Sequence, residues 1–447
     1  MQTPRPKSPT ELKMNQRVTV LLGCISVLGY AALGYCVERD AFGILLLCFA
    51  ATFGAYALII RQQAPLKTLI FWALAFRLVL LASTPALSDD YFRFVWDGRL
   101  AAAGMNPYLV LPSAFYSTAL AQNLHLTELF SHLNSPQYYS VYPPLNQLIF
   151  GVSAWLSNGS LWANILLIRL FLLAAEAACF CILVYFKYPV RGLLLFYALN
   201  PLVVVELTGN LHFEGAMIGF LLVAFALLRR QMVWLSAVFM SLAVATKLLP
   251  LVFLPLVISK IGWRKGLAYG AVVGGINLVL FSPFFSQELL QNVASSINLY
   301  FQKFEFNASL YYLVRQVGYW YVGYNIIAKA GIALSVLALS GILLVSFVKS
   351  KWSFQQKAVF ILTIYFACAT TVHPWYVATL VALSSATNFR FPVVWTALLP
   401  LTYAAYSTQP YHENLWLVLL EYAVVGFVAY KEISINSKTP QHTAFET

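Results

Sequence analysis

Residues 42–60 read FGILLLCFAATFGAYALII, without a charged side chain and without strict alternation of apolar and polar positions. As a helix rising about 1.5 Å per residue, such a run nearly spans the roughly 30 Å hydrocarbon core of a bilayer. A barrel strand needs a two-residue alternation, which is missing here. Comparable runs recur on both sides. Spans are read at 18–36, 42–60, 67–86, 162–186, 192–207, 213–228, 232–247, 248–259, 266–284, 325–348, 358–372, 375–389, 391–408 and 414–430. Several are short, and tilted, paired or re-entrant segments bring the expectation to about 12 to 14 crossings. The 447 residues are 60% hydrophobic and 10% charged, too little polar surface to cover a soluble core of this size. The expected fold class is all-α: a polytopic transmembrane helical bundle forming one unit over 1–430, followed by a polar tail at 431–447.

The formal net charge is +12. Its basic residues are spread over short loops and form no patch interleaved with aromatics, which excludes nucleic acid and leaves membrane lipid as the partner that composition demands. With the N-terminus placed in the cytoplasm, one side collects Arg5, Lys7, Lys13, Arg17, Arg61, Lys67, Lys187, Arg191, Arg229, Arg230, Lys260, Arg264, Lys265, Lys349, Lys351, Lys357, Arg390, Lys431 and Lys438. The opposite loops keep Arg39, Arg93, Arg99, Lys303 and Arg315. This asymmetry is the positive-inside pattern and predicts that both termini are cytoplasmic. It requires the apolar stretch 145–156 to make no net crossing. Two long outer segments result, 87–144 and 285–322, and long loops of this kind usually carry function. The cysteines lie mostly in apolar runs and show no metal-ligand spacing, so they read as small buried hydrophobes. No cleavable signal peptide is expected.

The first outer segment opens Ser88-Asp89-Asp90-Tyr91-Phe92-Arg93-Phe94-Val95-Trp96-Asp97-Gly98-Arg99. Adjacent carboxylates at the edge of a span are costly unless they are used. Residues 90–103 suit a short helix, capped by Asp89 or Asp90 and ended by Gly104. Asp90, Arg93 and Asp97 would share one face, and Phe92 and Trp96 suit the headgroup zone, making the helix interfacial. One reading is a capped helix with a surface ion pair. The other is acid–base chemistry, in which a carboxylate takes a proton from a hydroxyl nucleophile while Arg93 and Arg99 hold a phosphate or orient the carboxylates.

Other groups wait further along. Tyr142-Pro143-Pro144 forces an extended segment or starts a helix. Asn210, His212 and Glu214 lie between two spans, as a sugar-binding set or as a solvated turn. Lys247 sits between two short apolar segments, where it needs an anion such as a lipid phosphate or snorkels to the interface. His373 could hydrogen-bond a phosphate or sugar, and Trp375 suits the aromatic belt better than a sugar stack. Phe304–Tyr312, with Asn307, Ser309 and Arg315, offers further polar and aromatic contacts. Asn158-Gly159-Ser160 and Asn307-Ala308-Ser309 match the glycosylation pattern, which occurs often by chance. Arg169 and Glu176, two turns apart in one span, read as a structural network; Glu206 and Glu421 lie near membrane depth without an assigned role. No cofactor and no metal site is assigned.

The run SDDYFRFVWDGRLAAAGMNPY, residues 88–108, resembles the signature of bacterial glycosyltransferases of the GT-C superfamily, closest to the polyprenyl-phosphate-mannose-dependent mannosyltransferases. Tyr142-Pro143-Pro144-Leu145, Asn200-Pro201, Gly209-Asn210-Leu211-His212, Thr246-Lys247 with Pro250, and His373-Pro374-Trp375-Tyr376 resemble later elements in the same order. One departure stands out: Glu214 occupies a position where the pattern has Asp, keeping the charge and adding a methylene. The resemblance implies inverting transfer of a hexose, mannose by analogy, from a polyprenyl-phosphate donor to an acceptor glycan or glycolipid on the non-cytoplasmic side of the cell (inner) membrane. Asp89 or Asp90 would be the general base. Arg93, Arg99, Lys247 or His373 would neutralise the phosphate, and Asp97, Tyr142, Asn210, His212, Glu214 and Trp375 would line the substrate. A transporter or flippase of lipid-linked saccharides is the competing class; it predicts carboxylates at the midplane and inverted repeats. A polymerase or ligase using a polyprenyl diphosphate is the third.

Overall fold

The computed structural model describes residues 9–302, 304–408 and 410–438, without the side chains of 9–15, 297–302 and 436–438. Arg5, Lys7, Lys303 and the last part of the tail therefore lie outside the described residues, as do the side chains of Lys13 and Lys438. Among the described residues the chain is helical, with one isolated parallel bridge between Phe306 and Thr371. The all-α expectation holds.

Among the described residues, five helices are long and apolar enough to cross a membrane: Gln16–Tyr35, Phe42–Arg61, Leu161–Tyr185, Trp263–Phe284 and Ile327–Phe347. Their outward faces are apolar. Leu28 and Val279 are each 71% exposed and Leu47 is 69% exposed, a covering that lipid tolerates and water penalises at about 25 cal/mol per Å². A further apolar pair, Val190–Ala198 and Pro201–Gly209, is bent by 70°, as in a broken span or a re-entrant loop. Other expected spans are short helices, such as Val233–Thr246 and Phe354–Cys368. The 14-residue helix Pro144–Ser157, about 21 Å long, is likewise shorter than the hydrocarbon core. The last helix runs Leu415–Lys438, so the first residues of the polar tail continue the final helix.

The first two helices, α1 (Pro9–Tyr35) and α2 (Phe42–Arg61), pack on each other, and α3 (Leu66–Val79) lies against α1. At the centre stands Glu214–Arg229, apolar all round and buried over nearly its whole length. Such a helix belongs inside a bundle, and it is flanked by Leu161–Tyr185 and Val233–Thr246.

Helix α4, Asp90–Ala102, is the predicted loop helix, with three corrections. First, Asp89 occupies the N-cap position but makes no side-chain cap bond. Ser88 does the capping: its Oγ accepts from the Asp90 N–H at 3.3 Å. Second, Trp96 packs into protein and not into a headgroup zone. Trp96 is fully buried among Val95, Leu100, Leu126 and Leu129, and half-buried Phe92 stacks on His132 at 4.6 Å. Third, the Arg93–Asp97 pair is internal, not on the surface. Gly104, at φ +75°, follows the helix end as expected, and the Met105 N–H donates back to Leu100 O at 3.0 Å. Gly98 lets α4 meet Pro144–Ser157 at close range, because a Cβ there would lie 2.4 Å from the Phe150 carbonyl oxygen.

Candidate active site

The site begins at the bent pair Val190–Ala198 and Pro201–Gly209. Pro201 has no N–H, so the helix restarts there instead of continuing. Asn200 caps the restart: its Oδ1 accepts from Leu202 N at 3.0 Å, while its Nδ2 donates to Thr396 Oγ1 at 2.8 Å. The second half winds as a π-helix over Val204–Gly209, a geometry frequent at functional positions. Its carbonyl end is held by Arg169, which donates to Thr208 O at 2.8 Å, Gly209 O at 2.9 Å and Leu81 O at 2.7 Å. Arg169 and Glu176 do not share a network. Glu176 receives two bonds from Arg77, at 2.9 and 3.0 Å, a partner supplied by α3.

The π-turn presents Glu206, buried and surrounded by polar donors. Asn210 Nδ2 donates to Glu206 Oε2 at 3.0 Å, and the Tyr403 hydroxyl donates to Oε1. His212 Nε2 lies 3.5 Å from the same carboxylate and has no hydrogen-bond partner. The Asn210 Oδ1 accepts from the Leu87 N–H at 3.2 Å, tying this turn to the start of the first outer segment.

From His212 a column of rings continues. His212 stacks on Trp375 at 3.7 Å, Trp375 on His373 at 4.4 Å, and His373 on Phe306 at 5.0 Å. Trp375 is thus sandwiched between two imidazoles and buried, which overturns its placement in the aromatic belt. Phe306 reaches the column because its backbone pairs with the segment before His373: Phe306 N donates to Thr370 O at 3.1 Å, and Val372 N to Phe306 O at 2.9 Å. His373 lies in the loop before Pro374, and burial lowers its pKa from 6.5 to about 3, with smaller contributions from His212 and Lys247. The ring is therefore neutral at ordinary pH, and its buried Nδ1 has no partner.

Lys247 follows the end of Val233–Thr246 in extended backbone and pairs with buried Glu214. Its Nζ stands 4.8 Å from the Tyr376 ring, which meets His373 edge-on at 5.3 Å. The other oxygen of Glu214 is buried without a partner.

The column closes on the acidic pair. Phe306 contacts Tyr406 at 6.5 Å, and Tyr406 contacts Tyr403 at 6.2 Å, completing a circuit back to Glu206. Over the Tyr406 ring, at 4.3 Å, lies the Arg39 guanidinium from the loop between α1 and α2. Arg39 donates to Asp89 Oδ2 at 2.8 Å. Asp90 instead accepts from Asn134 Nδ2 at 2.8 Å, and both carboxylates act on Tyr406 through their charge. Asn210, His212, Glu214, Lys247, His373 and Trp375 are thereby connected to Asp89 and Asp90 across segments far apart in the chain.

Four of the expected site residues are committed elsewhere. Arg93 donates to Asp97 Oδ1 at 2.8 Å and to Tyr138 O at 2.9 Å. The second oxygen of Asp97 accepts from Gln147 Nε2 at 3.0 Å and from Ser140 Oγ. Arg99 donates to the carbonyls of His125 at 2.5 Å and Gly159 at 3.0 Å, fastening the outer segment. Tyr142 packs edge-on against Phe94 and Phe150, at 5.0 and 5.7 Å, and Pro144 starts the next helix at its first position. Asn307 is buried, its amide donating to Glu421 Oε1 at 3.0 Å, so the second glycosylation triplet is closed to modification in this fold.

Sequence reasoning missed Glu206, Tyr403, Tyr406, Phe306 and Arg39 as site residues. Three carried a signal: Glu206 is an acid in an apolar run, Arg39 stands outside the Lys/Arg-rich loops, and Phe306 lies in the aromatic stretch Phe304–Tyr312. The tyrosines carried none.

Apolar helices around a buried set of carboxylate, imidazole and ammonium groups define a membrane-embedded helical protein with an enzyme-like centre. The chain belongs to the MptA_B family: the family model described as alpha-(1->6)-mannopyranosyltransferase, N-terminal domain, matches residues 8–262. It is a glycosyltransferase of the mannosyltransferase type, and so works on a sugar donor and an acceptor glycan. No curated protein and no solved structure matches the chain. The family match ends before His373 and Trp375, whose membership in the site rests on geometry.

Proposed function

We propose that the chain transfers mannose from a polyprenyl monophosphate to a hydroxyl of an acceptor glycan or glycolipid on the non-cytoplasmic side of the cell membrane. The observation that carries this reading is the circuit joining the acidic pair to Glu206, His212, Trp375 and His373. It combines proton acceptors, buried imidazole nitrogens without partners and a nearby lysine, within a bundle whose outer faces are apolar. The Lys/Arg asymmetry supports the side of the membrane and cytoplasmic termini.

In the proposed reaction the acceptor oxygen attacks the anomeric carbon. The bond from that carbon to the phosphate oxygen breaks, its electron pair leaves with the polyprenyl phosphate, and the acceptor proton passes to a carboxylate. A single displacement inverts the anomeric centre. Asp90 is the better placed base, since Asp89 is engaged by a guanidinium and Asp90 by a neutral amide. Lys247, paired with Glu214, supplies positive charge, and neutral His373 supplies a donor. Preorganised charge of this kind is commonly the largest catalytic contribution. Asn210, His212, Glu214 and Trp375 line the sugar. Arg93, Asp97, Arg99 and Tyr142 build the scaffold beneath.

A donor panel tests the reading. Purified protein in liposomes is given polyprenyl-phosphate mannose, glucose and arabinose, a polyprenyl-diphosphate sugar and GDP-mannose, with an α-mannoside acceptor. Transfer from polyprenyl-phosphate mannose alone is expected; transfer from GDP-mannose or a diphosphate donor, with none from the monophosphate, sinks the reading.

A further inference from the structure

We infer that Arg39, in the short loop between α1 and α2, is a donor-phosphate ligand of the transfer site. The inference rests on the polyprenyl-phosphate reading above and names the group that receives the leaving phosphate.

Sorting the cations leads to it. Arg93 is spent on Asp97 and Tyr138 O, and Arg99 and Arg169 on backbone carbonyls. Arg77 is paired through two nitrogens with Glu176, and Arg315 pairs with Glu305. Arg93 keeps one buried nitrogen, Nη2, without a partner, and Arg315, like Arg39, lies over a tyrosine ring, Tyr312, at 4.3 Å. Arg39 is set apart by its place on the acidic pair, where three features combine. One nitrogen, Nη2, donates to Asp89 at 2.8 Å. Its guanidinium carbon lies over the Tyr406 ring, 4.3 Å from the centroid, which holds it beside the acidic pair. Its side chain remains 27% exposed beside an Asp89 that is 40% exposed.

A guanidinium is a rigid planar fork of N–H donors, and a ring beneath it attracts the cation without using those donors. With one edge on Asp89, another is available to grip two phosphate oxygens as a fork. Asp89 then acts as a positioning residue, anchoring the cation without filling it. The arrangement also divides labour within the acidic pair: Asp89 serves the leaving phosphate through Arg39, and Asp90 serves the acceptor hydroxyl. As the bond to the sugar breaks, charge grows on the phosphate, and a preformed cation stabilises that charge more than it stabilises the ground state.

The test uses full-length protein in liposomes of neutral lipid, with polyprenyl-phosphate mannose as donor and polyprenyl phosphate as product inhibitor. Arg39→Met is expected to raise the donor KM and the polyprenyl-phosphate inhibition constant by about tenfold or more, the scale of a lost charged hydrogen bond. The acceptor KM should stay within twofold. Arg39→Lys should recover the charge and only part of the binding. Donor KM and inhibition unchanged in folded Arg39→Met overturn the inference. Should that variant fail to fold, an inhibition constant for Arg39→Lys within twofold of wild type overturns it instead. Adding anionic phospholipid or inorganic phosphate separates the sources: if Arg39→Met alters inhibition by these but not by polyprenyl phosphate, Arg39 reads a headgroup or free phosphate and the inference fails. Absence of transfer by the wild-type protein defeats the donor reading itself, a different result from any of these.

Discussion

Two polar clusters lie close together in the chain and behave differently. Under α4, Arg93, Asp97, Ser140 and Gln147 form a closed unit: the two charges face each other at 2.8 Å, with Arg93 and Asp97 only 5% and 0% exposed. At the start of the same helix, Arg39 and Asp89 form a pair of the same type and length that stays open, at 27% and 40% exposure. The closed pair is sealed from solvent and bonded to the protein's own groups, with one nitrogen of Arg93 left buried and unpaired. The open pair leads inward to Glu206, His212 and His373, where buried nitrogen atoms of both imidazoles have no partner. Burial alone does not mark a site. A sealed ion pair fastens a helix, whereas an open one next to unsatisfied polar atoms is arranged for a ligand.

The sharpest way to break this comparison is to remove one member of the closed pair. Asp97→Ala leaves the Arg93 charge buried and unpaired, and is expected to cost about 3–5 kcal/mol of stability. Thermal unfolding in detergent checks this: a melting temperature equal to wild type would mean the cluster is not structural. Gly98→Ala comes next. Its new Cβ meets the Phe150 backbone, and overpacking of that kind costs about 1–3 kcal/mol. The same measurement applies, and an unchanged melting temperature would show that α4 has room to shift. The smallest effect tests the open cluster through pH. The folded pKa of His373 lies near 3, below its ordinary 6.5. Between those values the unfolded chain takes up a proton that the folded chain refuses. Its contribution to stability is thus complete above 6.5 and declines as pH falls toward 3. At pH 5 the loss amounts to about 2 kcal/mol at most. His373→Asn should therefore show a flatter stability profile between pH 7 and 5 than wild type, and parallel profiles would contradict the buried neutral imidazole.

The helical fold was legible because lipid demands long apolar runs, and 42–60 declares itself without context. Helix α4 was legible as an element, since its polar and apolar residues follow a helical period and Gly104 ends it. Its surroundings were not. Trp96 next to a membrane span reads the same whether it faces headgroups or a protein core, and only Leu126 and Leu129, brought in by the outer segment, decide between them. Trp375 misled for the same reason: its imidazole neighbours come from a turn more than a hundred residues earlier and from its own loop. Pairings between distant segments, Arg77 with Glu176 and Arg39 with Asp89 over Tyr406, leave no local pattern. The motif residues Asn210, His212, Lys247 and His373 were visible as polar groups out of place among apolar ones. Which of the motif arginines were already spent became visible only once their carbonyl and carboxylate partners were in place.

The most direct test sets the open pair against the closed one in a single transfer assay. Radiolabelled polyprenyl-phosphate mannose is offered to the wild-type protein and to the double variant Asp89→Asn, Asp90→Asn, each in liposomes and matched for melting temperature. Loss of the base alone is expected to reduce transfer by about a hundredfold or more, with the double variant still folded. Transfer by a folded double variant at the wild-type rate would contradict the assignment of the acidic pair to catalysis.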